Sequence, residues 1–225
     1  MTTIAKQTTR CFVCGTENEF CVVVSTNSFG PTDLDTRPPE MKRSTMNYWV
    51  QTCPSCGYSA TDVSDDTTVA RTFLETESYQ TYDGIPFLSE LAKEFYRHYL
   101  IQAADHRKED AFFALLHAAW ACDDKDDETC AVQMRNKAIS IANDLLVSGN
   151  LENKDTLRVM RADLLRRATR FDELLDQYAH TDYQDELLNS ILRFEKEMAR
   201  RKNSECLTVQ DAEEFAKSHP GKPAE

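Results

Sequence analysis

The sequence predicts a mainly α-helical protein with a small β module at its N-terminus. Three observations carry this reading. Two Cys-x-x-Cys-Gly segments stand at residues 11–15 and 53–57, with β-branched runs beside them. Glycine and proline are scarce, 6 and 7 in 225 residues, so most of the chain is free to form regular structure. From Pro86 onward the only internal breaker before the tail residues Pro220, Gly221 and Pro223 is Gly149, and apolar residues there recur at three-four spacing.

The β module is assigned to residues 1–65. Phe20, Cys21, Val22, Val23 and Val24 read as one strand. Residues 47–52 read as a second, running into the second cysteine pair. Residues 27–45 hold Gly30, Pro31, Pro38 and Pro39, which exclude a helix or an inner strand. A module of this size buries too little surface to fold alone. A bound metal supplies the deficit, on the order of 10 kcal/mol for structural zinc.

The cysteine spacing is what points to metal. Two intervening residues let a tight turn aim both sulfurs at one ion, and the following glycine can adopt the positive φ of such a turn. Cys11, Cys14, Cys53 and Cys56 together make the four-sulfur tetrahedron of a structural zinc site. Iron is the runner-up, because Cys53-Pro54-Ser55-Cys56-Gly57 is also similar to a rubredoxin knuckle. The 38 residues between the pairs and the lack of a second cofactor motif favour zinc. A redox dithiol is the third reading, and would need a thioredoxin-like βαβ setting.

Residues 66–225 form the helical domain. Leu88, Leu91, Ala92, Phe95 and Tyr99 mark a first helix, with Pro86 near its first turn. Phe112, Leu115, Leu116, Ala119 and Trp120 mark a second; Ala131, Met134, Ala138, Ile141, Ala142 and Leu145 a third. Leu157, Met160, Leu164, Leu165 and Ala168 mark a fourth, and residues 171–178 and 187–194 two more. A short helix over residues 209–217 completes the set. The turns are brief, as in antiparallel helical hairpins. Those before Glu128 and at Phe171 resemble the turns of tetratricopeptide units, although Asp127 and Phe171 are 44 residues apart and that repeat has a period of about 34.

The charge balance narrows the function classes. With 26 basic and 38 acidic side chains the net charge is -12, which repels bulk nucleic acid and anionic lipid. Residues 1–70 hold 5 basic and 8 acidic side chains, so the β module itself lacks a basic footprint. Residues 1–10 contain no apolar signal core, and the longest nearly apolar run, residues 111–122, is too short for a membrane span of about 20 residues. The expectation is a cytoplasmic, reducing environment in which paired cysteines hold metal rather than disulfides. Cys21 and Cys122 are expected to be buried thiols, and Cys122 and Cys130 flank one turn.

The order of features resembles a family of uncharacterised bacterial proteins that join an N-terminal zinc ribbon to tetratricopeptide-like helices. The resemblance rests on CFVCG at 11–15, DLDTRP at 33–38, WVQTCPSCGY at 49–58, HAAWACDDKDDE at 117–128, RADLLRRATRFDELL at 161–175 and ILRFEKE at 191–197. It implies the two-part architecture, a cytoplasmic bacterial origin and the four cysteines as ligands. It implies no activity.

No Ser/His/Asp set, phosphate loop or dinucleotide fingerprint is visible. The acidic run 123–128 lacks the glycine and glutamate of a calcium loop and reads as a helix cap. His117 reads as a core or groove histidine. Two features are candidates for binding a partner. One is the insertion between the cysteine pairs, with Asp33, Asp35 and Arg37. The other is the arginine set that includes Arg158, Arg161, Arg166, Arg167 and Arg170, read as a solvated face that Arg193, Lys196, Arg200, Arg201 and Lys202 extend toward a basic groove for an acidic peptide. The expected function is a non-enzymatic zinc-binding module for a protein or peptide partner. The alternatives are a nucleic-acid-binding zinc ribbon and a rubredoxin-like iron or dithiol redox protein.

Overall fold

Each cysteine pair forms the turn of an antiparallel hairpin. In the computed structural model, which describes residues 1–148 and 153–219, strand β1 (Thr3–Arg10) runs into the first pair and β2 (Glu17–Ser25) runs out of it. Their register places Arg10 opposite Glu17 and Ala5 opposite Val22. The second pair lies between β3 (Gln51–Thr52) and β4 (Ser59–Ala60), with Gln51 opposite Ala60. β2 is the strand expected from its valines. β1 was not legible, because Lys6, Gln7, Thr8 and Thr9 carry no apolar signal and the strand is almost wholly exposed. The strand expected over residues 47–52 is confined to Gln51–Thr52, since Arg43–Tyr48 winds into a 3-10 turn.

A further 3-10 turn, Arg71–Glu75, leads to α1 (Glu77–Thr81), whose N-terminus is capped by the Thr76 hydroxyl accepting from the Tyr79 N–H. Three long helices follow: α2 (Glu90–Ala104), α3 (Lys108–Asp123) and α4 (Glu128–Ser148). Ser89 caps α2 through the Ala92 N–H. Asp127 caps α4, its carboxylate accepting from the N–H groups of Cys130 and Leu88 at 3.2 and 3.0 Å. The expected capping role of the acidic run therefore falls on Asp127. Burial opposes its charge, but those two N–H groups hold its carboxyl below the ordinary range.

The chain forms two compact units, Met1–Ser28 with Glu40–Ile141, and Phe29–Pro39 with Ala142–Glu225. The seam does not fall at residue 65. In the first unit Tyr58, Ala60, Val63, Leu74, Tyr79 and Ile101 share one buried cluster with Cys11 and Cys53, so the β module and α2 have a common core. In the second unit lie α5 (Lys154–Arg167), α6 (Phe171–Gln177), α7 (Glu186–Arg200) and α8 (Val209–Ser218), with α7 packed on α5, α6 and α8.

Eleven residues of the inter-knuckle insertion belong to this second unit. Asp33 bridges to Thr208, the Leu34 N–H donates to the Leu207 carbonyl, and the Val209 N–H donates to the Thr32 carbonyl. The insertion therefore forms part of the helical unit's core rather than a loop on the β module.

A chain poor in glycine still needs left-handed residues to end its helices. Here His106, Asp126, Thr169 and Lys202 take that role, with φ between 54° and 59°. After each, the next N–H reaches back to the carbonyl five residues earlier: Arg107 to Gln102, Asp127 to Cys122, Arg170 to Leu165 and Asn203 to Met198. The same hydrogen-bonded closure thus ends four helices without one glycine.

Candidate metal centre

The two knuckles are built alike. In the first, the Gly15 N–H donates to the Cys11 carbonyl at 2.8 Å and the Cys11 N–H to the Thr16 carbonyl at 2.9 Å. In the second, the Gly57 N–H donates to the Cys53 carbonyl and the Cys53 N–H to the Tyr58 carbonyl, both at 2.8 Å. Gly15 and Gly57 have φ of 72° and 78°, the left-handed region that the spacing required.

These turns bring the four sulfurs together. The Cys11 and Cys56 sulfurs are 3.7 Å apart, as are those of Cys14 and Cys53. All four lie within 4.8 Å of one another. A tetrahedron with metal–sulfur bonds of about 2.3 Å has edges of about 3.8 Å, so the cysteines are placed to hold one metal ion. Four protein sulfurs complete a tetrahedron and leave no coordination position open.

The surroundings suit a charged sulfur cluster. The Asn18 side-chain amide points an N–H at the Cys53 sulfur, 3.7 Å away. The Thr16 hydroxyl, 3.4 Å from the Cys14 sulfur, holds that thiol down at about 6. Burial pushes the Cys11 and Cys56 thiols up. Loading a metal therefore displaces protons from the more buried thiols, which makes its affinity depend on pH. Beneath the centre, the Tyr79 hydroxyl donates to the Gly57 carbonyl at 2.6 Å and ties α1 to the second knuckle.

The other candidate residues do not form an open surface. Asp33, Asp35, Arg37, Arg161 and Arg167 are all buried. Arg167 donates to Asp35 at 2.9 Å. Arg161 donates to the Asn143 side chain at 2.6 Å and to the Tyr178 hydroxyl at 3.2 Å. Asp33 accepts from the Cys206 thiol, and half-buried Arg170 pairs with Glu173. The expected solvated arginine face holds for Arg158, Arg200 and Arg201, which are exposed, and is corrected for Arg161, Arg166 and Arg167. Arg166 is fully buried between Asp163 and Glu195, and Arg200 and Arg201 pair with Glu197.

Cys21 is also corrected. It is exposed on β2, whereas Cys122 is buried as expected. His117 sits among aromatic rings, 5.3 Å from Trp49 and 5.2 Å from Phe95. Among the described residues no helix is long and apolar enough to cross a membrane. Comparison with known protein families, curated proteins and solved structures finds no match.

Proposed function

We propose that the chain is a non-enzymatic module in which structural zinc folds a ribbon that engages a protein partner. The observation that carries the zinc part is the closed four-sulfur tetrahedron, set on the buried cluster of Tyr58, Val63, Tyr79 and Ile101. A catalytic zinc keeps an open position for water or substrate, and a four-sulfur site has none. The same ligand set accommodates iron, so elemental analysis of the purified protein decides between a colourless one-zinc site and a coloured iron site.

The partner reading rests on the β1–β2 hairpin. It is a two-stranded sheet, with Ile4, Val24 and Phe12 at 42%, 63% and 52% exposure. Open strand edges accept an added strand from another chain, with backbone hydrogen bonds giving affinity and apolar side chains giving selectivity. The helical hairpins, tetratricopeptide-like in this reading, serve as its support. The test is a native pull-down with metal-loaded protein and a Phe12→Ser, Val24→Ser variant. A stoichiometric partner lost in the variant supports the reading. A partner retained in full, or none recovered under conditions that keep the metal, counts against it.

A further inference from the structure

A second feature lies in the first compact unit, lined by none of the four cysteines. It is a cavity of about 180 Å³ formed by the segments around Trp49 and Thr61 and by α2 and α3. Drug-sized ligands occupy about 300–1,000 Å³, so this space suits a small molecule or one side chain. Its walls are aromatic: Trp49, Phe95 and Phe113 gather round the His117 ring, with centroids 5.2 to 6.5 Å from it. The Trp49 indole N–H is engaged by the Thr45 hydroxyl, so Trp49 adds no unsatisfied donor to the wall.

Two buried acceptors line the same space. Gln102 is 5% exposed, and its Oε1 is buried with no hydrogen-bond partner. Buried acceptors are rarely left without a donor, and such an atom marks a place for a missing group. His98 is 6% exposed, and its Nδ1 lies 3.3 Å from the Ser59 carbonyl. A carbonyl can only accept, so Nδ1 carries the proton and Nε2 keeps a lone pair. Burial lowers the affinity of this ring for a second proton, so it stays neutral.

The charge at the lining is negative. Asp65 and Asp110 line the cavity. Arg107 lines it too, but pairs with Asp66 at 3.2 Å and lies in the field of Asp105 and Asp110. Aromatic faces, a buried acceptor without a donor and an excess of carboxylates select one ligand chemistry: a compact cation that carries N–H groups on a hydrocarbon stem.

We propose that this cavity binds a protonated primary amine, its ammonium at the end lined by the Gln102 and His98 side chains and its alkyl stem against Trp49, Phe95 and Phe113. The ammonium belongs either to a free small amine or to a lysine side chain of another polypeptide. The cavity is complete in this chain whether or not the β1–β2 hairpin engages a partner.

The test is calorimetry, with tryptophan fluorescence in parallel, on the metal-loaded full chain at fixed ionic strength. The probes are butylammonium chloride, Nα-acetyl-lysine methylamide and butanol. Saturable binding of either amine, with none by butanol at tenfold higher concentration, supports the proposal. Binding of the lysine derivative alone identifies a polypeptide source, and binding of butylammonium alone a free amine. Gln102→Leu is expected to weaken the amines at least about tenfold. Asp110→Asn changes only an exposed lining charge and is expected to weaken them about threefold or more, less so at high salt. Absence of saturation by both amines, as for a cavity that holds only water, overturns the proposal. So does equal binding of butanol, or wild-type affinity in both variants.

Discussion

Replacing Glu195 by glutamine should remove most of the second unit's pH dependence and raise its stability at neutral pH. Arg166, fully buried on α5, donates from Nε to Glu195 and from Nη2 to Asp163, each at 2.6 Å. Its Nη1 donates to the carbonyls of Asn203 and Glu205. One guanidinium thus faces two carboxylates that are 0% and 1% exposed, and the Glu195 Oε1 has no donor. Burial pushes Glu195 up to about 8, and the nearby Asp163 charge adds to the rise, so Glu195 holds a proton at neutral pH.

The sign follows from linkage. A carboxyl raised in the folded state contributes stability that is complete below its unfolded value of about 4.3. That contribution is lost as pH rises through about 8. A shift of this size corresponds to a loss on the order of 5 kcal/mol across that window. Glutamine keeps the shape, the acceptor and a donor without the titration, so Glu195→Gln should match wild type to within about 1 kcal/mol near pH 4 and exceed it by roughly 3–4 kcal/mol at pH 7. Arg166→Met instead leaves the buried Asp163 carboxylate, the Glu195 carboxyl and two carbonyls without the guanidinium, at about 3–5 kcal/mol. Hydrogen exchange of α5 and α7 at pH 5, 7 and 9 reads both effects. The reasoning fails if Glu195→Gln keeps the wild-type slope between pH 5 and 8, or costs as much as Arg166→Met.

Cys56→Ser should lose the metal and destabilise the first unit by several kcal/mol, with reduced exchange protection reaching Ile101 in α2, because both belong to one buried cluster; bound-metal content and exchange at that residue check it. Gly57→Ala should cost about 1–2 kcal/mol from backbone strain, since φ is 78° and a Cβ there would meet nothing within 4 Å; the urea midpoint of metal-loaded protein measures it. Asp35→Ala should cost about 3 kcal/mol or more, because it removes a buried carboxylate that accepts from both Arg167 and the Arg37 N–H; thermal unfolding of the second unit tests this.

The legible parts of this chain are those whose cause is local. A knuckle is closed by hydrogen bonds within six residues, so Cys11, Cys14, Gly15 and their counterparts announce it. The helices from α2 to α8 declare themselves because their apolar stripes repeat within one turn and few breakers intervene. Leu88 was misplaced for an equally local reason: Ser89 caps α2, leaving Leu88 outside it and 68% exposed. β1 stayed hidden because its partner, not its own pattern, makes it a strand. The Gln102 and His98 cavity was hidden too. Only the packing of residues near 49 and 61 on α2 and α3 gathers its walls, and a glutamine in the last turn of a helix carries no sign that its oxygen lacks a donor.

The arginines of α5 show where local reading must fail. Helical periodicity treats every arginine as solvent-facing, yet a guanidinium is readily buried once carboxylates meet it. For Arg167 that carboxylate is Asp35, 132 residues earlier in the chain, and for Arg166 one is Glu195, 29 residues later. No window along α5 contains either partner. The consequence reaches beyond α5. Since an uncompensated buried charge is costly, residues 29–39 are held among the C-terminal helices by the need to supply Asp35, as well as by the backbone bonds to Leu207 and Val209. The Asp35 carboxylate and the backbone groups of Thr32 and Leu34 are thus engaged within the unit. The recognition proposed above accordingly falls outside this segment, on the exposed β1–β2 hairpin and at the cavity of the first unit.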